Sequence, residues 1–177
     1  SWKKKDIREE GSGNIGAANV FRVKGSLAGV LTLLLDILKG VLPVLYGLKH
    51  FDNPVMVIGG GAAAILGHTF SVYLKFRGGK GIATFLGLFL VFHFPSACVF
   101  GGAFLATLYF TRYISASSLA GITAVFFMIS FTHVVEVSIV VFTIALVIVT
   151  KHRDNIFRML DRTERKLTWN NKTINNG

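Results

Sequence analysis

Residues 26–48, SLAGVLTLLLDILKGVLPVLYGL, decide the fold of this chain. The run is long enough for a helix to cross the hydrocarbon core of a bilayer, which takes about 17–25 residues. It contains two charged residues, Asp36 and Lys39, which share a helix face because they are three positions apart. Charges at that depth are usually paired or lie beside a cavity. Two interpretations therefore stay open, a mutual ion pair and a link to a functional site.

Five further apolar runs follow, at 55–74, 82–94, 96–111, 116–132 and 134–150. They are apolar on all sides, whereas the strands of a membrane barrel alternate polar and apolar residues. Hydrophobic residues make up 52% and charged residues 16% of the chain, against about 25% charged residues in a soluble domain. We therefore predict an all-α polytopic integral membrane bundle. It forms a single membrane domain over 1–177, with six spans in this chain and one further span upstream of it.

The charges predict the orientation of the bundle. The chain carries 19 Lys and Arg, a net charge of +10 and a single Cys. Apart from Lys39 and Lys49, every one of these cations falls on one side when the connecting segments are assigned to alternate sides. The positive-inside rule places that side in the cytoplasm. The basic excess is thus first a signal of topology, and a nucleic-acid partner is not needed to explain it.

Glycine and charge concentrate in three segments of that side: 1–25, the loop 67–84 between two spans, and the tail 151–177. The first contains GSGNIGAANVFR (11–22), whose glycine amides and arginine suit phosphate, although it also reads as a flexible loop. The second contains GGKG (78–81) just before a span, and a helix N-terminus attracts anions. It is not a Walker A loop, because the spacing differs. The third places His152 and Asn155 on one helix face, although a basic stop-transfer tail is the simpler reading.

Taken jointly, these segments resemble the bacterial membrane-integral acyl-phosphate:glycerol-3-phosphate acyltransferases, the PlsY family. The family signatures GSxNxGATNxxR, GHxFPxxLxFxGGKGxAT and HRxNIxRLLxGxE correspond to GSGNIGAANVFR, GHTFSVYLKFRGGKGIAT and HRDNIFRMLDRTE in this sequence. The three occur in the same order and at span boundaries. Three positions depart from the pattern: Ala18 replaces Thr, Ser71 replaces Pro, and Arg162 replaces Gly.

The resemblance implies transfer of a fatty acyl group from acyl phosphate to the 1-hydroxyl of sn-glycerol 3-phosphate, an early step of phospholipid synthesis. It implies a monomeric multi-pass enzyme of the bacterial inner (plasma) membrane, without metal or cofactor, whose active site faces the cytoplasm. The predicted catalytic residues are Ser12, Arg22, Lys80, His152 and Asn155. The predicted substrate-binding residues are Gly13, Asn14, Asn19, Gly78, Gly79 and Gly81, and Glu164 is predicted to be structural.

The alternative is a membrane transporter of an organic phosphate, since it shares a basic, glycine-rich mouth. A transporter predicts polar residues that continue through the spans and helices broken near the midplane. The sequence shows Asp36 and Lys39 there. His68 is expected to pack or cap a helix end.

Overall fold

The structure, a computed structural model, describes residues 6–167. The predicted basic positions Lys3, Lys4, Lys5 and Lys172 lie outside this range. Short 3-10 turns occur at Ile7–Glu9 and Val72–Leu74. The α-helices are α1 (Ala17–Lys24), α2 (Ser26–His50), α3 (Pro54–Thr69), α4 (Ile82–Phe92), α5 (Phe94–Thr111), α6 (Ile114–Thr132), α7 (Val135–Lys151) and α8 (Arg153–Leu160). The predicted all-helical class is confirmed.

The predicted count of six spans is wrong by the criteria of length and hydropathy. Within residues 6–167, four helices are long and apolar enough to cross a membrane, namely α2, α3, α5 and α6. A fifth span results if α7 and α8, which bend by 58° at His152, are counted as one. Helix α4 was predicted as a span but is too short for one, because its 11 residues rise about 17 Å at 1.5 Å per residue. Its hydropathy is that of a span, but its length is not.

The ends of the helices follow from local signals. Asn53 caps α3 through its side-chain oxygen, which accepts a hydrogen bond from the Val55 amide at 2.8 Å, and Pro54 occupies the first turn. The α5 helix ends at Arg112, which adopts a left-handed conformation with φ 61°. The α4 helix begins after Gly81, whose φ of 83° is one that glycine adopts without strain.

The short helix α4 is the centre of the bundle. Its side chains Phe85, Leu88 and Phe89 are fully buried, and α4 packs against α2, α3 and α5. The buried core continues into α3, α6 and α7, through residues such as Ile58 and Val141. Large apolar side chains cover the outside of the helices instead of polar ones, as a lipid environment requires.

Two glycines allow α2 and α4 to approach closely. A Cβ atom at Gly40 would lie 2.1 Å from the carbonyl oxygen of Thr84, and one at Gly87 would lie 2.1 Å from that of Ile37. Both contacts are with backbone, which cannot move aside as a flexible side chain can. Small residues at such contacts are the usual means of packing helices in a membrane.

We expect Gly40→Ala and Gly87→Ala each to destabilise the protein by about 1–3 kcal/mol, because the added methyl overpacks the contact between helices. Gly59→Ala is the matched control, since a Cβ there meets no atom within 4 Å. Thermal unfolding of the purified protein in detergent measures the difference. Equal unfolding temperatures for Gly40→Ala and Gly59→Ala would contradict this account of the α2–α4 contact.

Candidate active site

The three glycine-rich and basic segments meet at one cavity of about 620 Å³. The cavity is also lined by α2, α4, α5 and α6. Nine of the twelve predicted site residues line it: Ser12, Asn14, Asn19, Arg22, Lys80, Gly81, His152, Asn155 and Glu164. The other three, Gly13, Gly78 and Gly79, do not line it. The substrate-binding roles assigned to those three glycines stay predictions.

Asn19 holds the first segment in shape. It is 2% exposed, and its side-chain oxygen accepts a hydrogen bond from the Ser12 amide at 2.8 Å. Its side-chain nitrogen donates to the carbonyl oxygens of Asn14 and Glu10 at 2.8 and 3.0 Å. The amide group is thus occupied by the loop itself. Asn19 fixes the backbone on which Ser12 and Asn14 stand, whether or not it also touches substrate.

Ser12 and Arg22 are both exposed. Arg22 lies on α1, in its last turn, and the Arg22 side chain has no hydrogen bond or ion pair within residues 6–167. Its guanidinium is available for a phosphate, which it can grip through two nitrogens. The Ser12 hydroxyl likewise has no partner among the described residues.

The partly buried carboxylate of Glu164 organises the tail. One oxygen of Glu164 accepts hydrogen bonds from the Ser115 hydroxyl at 2.7 Å and the Asn155 amide at 2.6 Å. The other accepts from Arg158 Nε at 2.8 Å. The side-chain oxygen of Asn155 in turn accepts a hydrogen bond from the Lys80 ammonium. The network therefore joins α6, α8 and the glycine loop.

These contacts set the ionisation of Lys80 and Glu164. Burial would raise the pKa of Glu164, but the hydrogen bonds from Asn155, Ser115 and Arg158 outweigh it and lower the pKa. Burial lowers the pKa of Lys80 to about 8, an effect that Glu164 opposes and Arg158 reinforces. Lys80 is still mostly charged at neutral pH, and it sits beside the N-terminus of α4, where anions are favoured.

His152 is a neutral hydrogen-bond acceptor in this site. It is 1% exposed, and its Nδ1 lies 2.8 Å from the carbonyl oxygen of Ile148. A carbonyl accepts only, so Nδ1 carries the proton and Nε2 has a free lone pair. Burial and the charge of Lys80 lower the pKa of His152 to about 4. His152 can therefore accept a hydrogen bond from a hydroxyl group, but it holds a proton only weakly at neutral pH.

Several cavity residues were not predicted as site residues. Ser115, Ser118 and Arg165 line the cavity from the start of α6 and from the tail. Asp36 and His68 line it from within α2 and α3. Serines at the start of an apolar span were a usable signal for Ser115 and Ser118. Both interpretations of Asp36 find support, because its ion pair with Lys39 is present at 2.7 Å and Asp36 also lines the cavity.

The departure at residue 162 has a visible consequence. Arg162 has a φ of 57°, a left-handed conformation that costs a non-glycine residue about 1–2 kcal/mol. The turn still forms, because the amides of Thr163 and Glu164 both donate to the Arg158 carbonyl oxygen, at 2.8 and 2.9 Å. Glu164 is therefore held in place without the glycine that the family pattern has there.

A helical bundle with an apolar exterior and a basic, partly apolar cavity is typical of an integral membrane protein that handles phosphorylated amphiphiles. The family model for glycerol-3-phosphate acyltransferase matches residues 1–162. The chain belongs to this family and is an acyltransferase.

Individual relatives of the chain carry the name of the same family. A protein of Endomicrobium trichonymphae named glycerol-3-phosphate acyltransferase is 45% identical over 93% of this chain and 83% of its own length. A protein of the same name from Syntrophotalea carbinolica is 44% identical over 91% of this chain and 83% of its own length. The crystal structure of PlsY, described as an integral membrane glycerol 3-phosphate acyltransferase in the glycerol 3-phosphate form, superposes with a TM-score of 0.89. It is 35% identical and covers 94% of this chain and 84% of that one.

The same fold is found in the lysophosphatidic acid form of PlsY, with a TM-score of 0.84 and 34% identity over 89% of this chain and 81% of that one. Family membership decides for the acyltransferase and against the transporter alternative. Over residues 6–167, no group of three or more His, Cys, Asp and Glu side chains is placed to hold a metal ion.

We expect kcat/KM for glycerol 3-phosphate to fall as the pH rises past about 8, because the Lys80 ammonium, with a pKa of about 8, then loses its proton. The charged and titratable groups around it are Glu164, Arg158, Asp154 and His152. Lys80→Arg is the comparison, since a guanidinium does not titrate in this range. A wild-type rate that persists well above this pH, or the same alkaline decline in Lys80→Arg, would contradict the assignment.

Proposed function

We propose that the protein transfers a fatty acyl group from acyl phosphate to the 1-hydroxyl of sn-glycerol 3-phosphate, giving 1-acylglycerol 3-phosphate and phosphate. The observation that carries the proposal is the mixed lining of one cavity. Cations and amide donors of the three segments line it together with apolar side chains of α2, α4 and α5, which form its apolar part: Leu33, Ile82, Leu86, Phe100, Phe104 and Leu105. An acyl phosphate combines a charged head with an apolar tail in the same way.

The cations suit two phosphorylated substrates. Arg22, Lys80, Arg158 and Arg165 all line the cavity, and a cleft lined by one sign of charge concentrates the opposite sign. Acyl phosphate is already activated, so the protein mainly has to position the two substrates and stabilise developing charge. Hydrogen-bond donors such as the Ser12 hydroxyl would stabilise the oxyanion that the acyl carbonyl oxygen becomes in the tetrahedral intermediate.

The acyl group passes directly from one substrate to the other, without a covalent enzyme intermediate. The 1-oxygen of glycerol 3-phosphate forms a bond to the acyl carbonyl carbon, and the bond from that carbon to the phosphate oxygen breaks. The hydroxyl proton ends on the departing phosphate. His152, with its lowered pKa, is better suited to orient the hydroxyl through its free Nε2 than to store the proton.

The proposed location is the bacterial inner (plasma) membrane, with the cavity facing the cytoplasm. The convergence of the three predicted cytoplasmic segments on one cavity and the positive-inside rule support this orientation. The monomer is proposed as the active unit, because a single chain supplies all three motif segments at the cavity. No cofactor is proposed, since the reaction needs none.

Purified protein incubated with acyl phosphate and labelled glycerol 3-phosphate should form labelled 1-acylglycerol 3-phosphate, whereas acyl-CoA as donor should give none. Product from acyl-CoA alone would contradict the choice of donor. Incubation with labelled acyl phosphate and no acceptor, followed by denaturation, tests direct transfer. Label that stays on the Ser12 peptide and is chased off by glycerol 3-phosphate at a competent rate would contradict it.

The apolar part of the cavity offers a matched pair of variants. A Cβ at Gly101 or at Gly102 meets no atom within 4 Å, but only Gly101 lines the cavity. We expect Gly101→Phe to lower kcat/KM for long-chain acyl phosphates by about tenfold or more while sparing short-chain donors, because the ring occupies space for the tail. Gly102→Phe should leave both unchanged. Equal effects of the two variants, or a loss independent of chain length, would contradict an acyl tail in this part.

A further inference from the structure

Asp36 is a buried carboxylate that the proposed chemistry does not use. It lies within α2 and is 5% exposed, and it lines the same cavity as Lys80 and His152. A charge at this depth of a spanning helix is costly and is retained where it has a partner and a task.

Asp36 has two cationic or polar partners of very different exposure. The Lys39 ammonium lies 2.7 Å from its carboxylate oxygen, but the Lys39 side chain is 53% exposed. His68 Nδ1, on α3, lies 3.4 Å from the same oxygen, and the His68 side chain is only 5% exposed. Lys39 reaches outward, whereas the pair of Asp36 and His68 is enclosed and links α2 to the last turn of α3.

His68 in turn lies against the glycine loop. A Cβ at Gly79 would be 2.1 Å from His68 Nε2 and 2.9 Å from Cε1, so the imidazole ring occupies the space where a side chain would stand. A Cβ at Gly78 would be 1.9 Å from the His68 carbonyl oxygen. Neither glycine has a φ in the left-handed region. Glycine is therefore required at these positions because of the contact with His68, and not because of a backbone conformation that only glycine adopts.

We infer that Asp36 and His68 are positioning residues for Lys80. Asp36 fixes the imidazole of His68, the imidazole fixes the Gly79 peptide, and the next residue, Lys80, is thereby held with its ammonium on Asn155 at the cavity wall. The inference rests on the proposed function for its kinetic readout. It also gives Gly79 a role that needs no contact with substrate.

A double-mutant cycle tests the contact. Gly79→Ala should lower kcat/KM for glycerol 3-phosphate by about tenfold in the parent but by less than about twofold in the His68→Ala background, because the colliding ring is gone. Gly78→Ala is the matched control, since it collides with the His68 backbone, which His68→Ala leaves in place. Its cost should be the same in both backgrounds. An equal cost of Gly79→Ala in both backgrounds would overturn the inference.

The alkaline limb of the pH profile, where kcat/KM falls as Lys80 loses its proton, tests whether the pair positions Lys80. If the pair holds Lys80 in its buried place, His68→Ala and Asp36→Asn should both move the limb above the wild-type value, because a freer Lys80 is better solvated and its pKa rises. Glu164, Arg158, Asp154 and His152, which surround Lys80, are unchanged in these variants. A limb that stays in place in both variants would show a merely structural pair and overturn the inference.

Activity of the parent with acyl phosphate is measured first, so failure of the proposed function shows itself separately. The same cycle of His68→Ala with Gly79→Ala or Gly78→Ala, followed by thermal unfolding in detergent, needs no activity. Rescue of the unfolding temperature of Gly79→Ala, but not of Gly78→Ala, supports the contact. Absence of that rescue contradicts it.

Discussion

The site depends on the hydrogen bonds that the carboxylate of Glu164 accepts. A negative charge withdrawn from solvent is tolerated only where hydrogen bonds and cations surround it, and Glu164 has Ser115, Asn155 and Arg158 within 2.6–2.8 Å. These partners come from α6 and α8. Removing the carboxylate would leave their donors without an acceptor and Lys80 without its nearest compensating charge.

The backbone just before Lys80 is held in a different way. The glycine loop is packed against His68, and a carboxylate on α2 faces His68 in turn. Lys80 thus follows a closely packed loop, and Glu164 supplies a compensating charge from the side of the tail. Such fixed surroundings let one ammonium group meet a phosphate without reorganising, which is the usual electrostatic contribution of an enzyme to transfer reactions.

The sequence predicted much of this arrangement because its signals were local. Composition marked the three glycine-rich and basic segments, and their joint resemblance to one family implied the site residues, nine of which line the cavity. The short apolar run at 82–94 was visible in the sequence, but the position of α4 in the centre of the bundle was not, because only packing shows it. Packing likewise gives the reason for Gly79, which in the sequence reads as a phosphate-binding glycine. The pairing of Asp36 with His68 joins two consecutive helices through residues 32 positions apart, and no local pattern marks it.

The most direct test of the account is the pH profile of kcat/KM for glycerol 3-phosphate in Glu164→Gln, with thermal unfolding as proof of folding. Glutamine keeps an oxygen acceptor for Ser115 or Asn155 but carries no charge. Because Glu164 raises the pKa of Lys80 against the effect of burial, the account predicts reduced activity and an alkaline limb at lower pH than in the wild type. An unchanged limb, or wild-type activity at every pH, would contradict the claim that this carboxylate organises the cationic site.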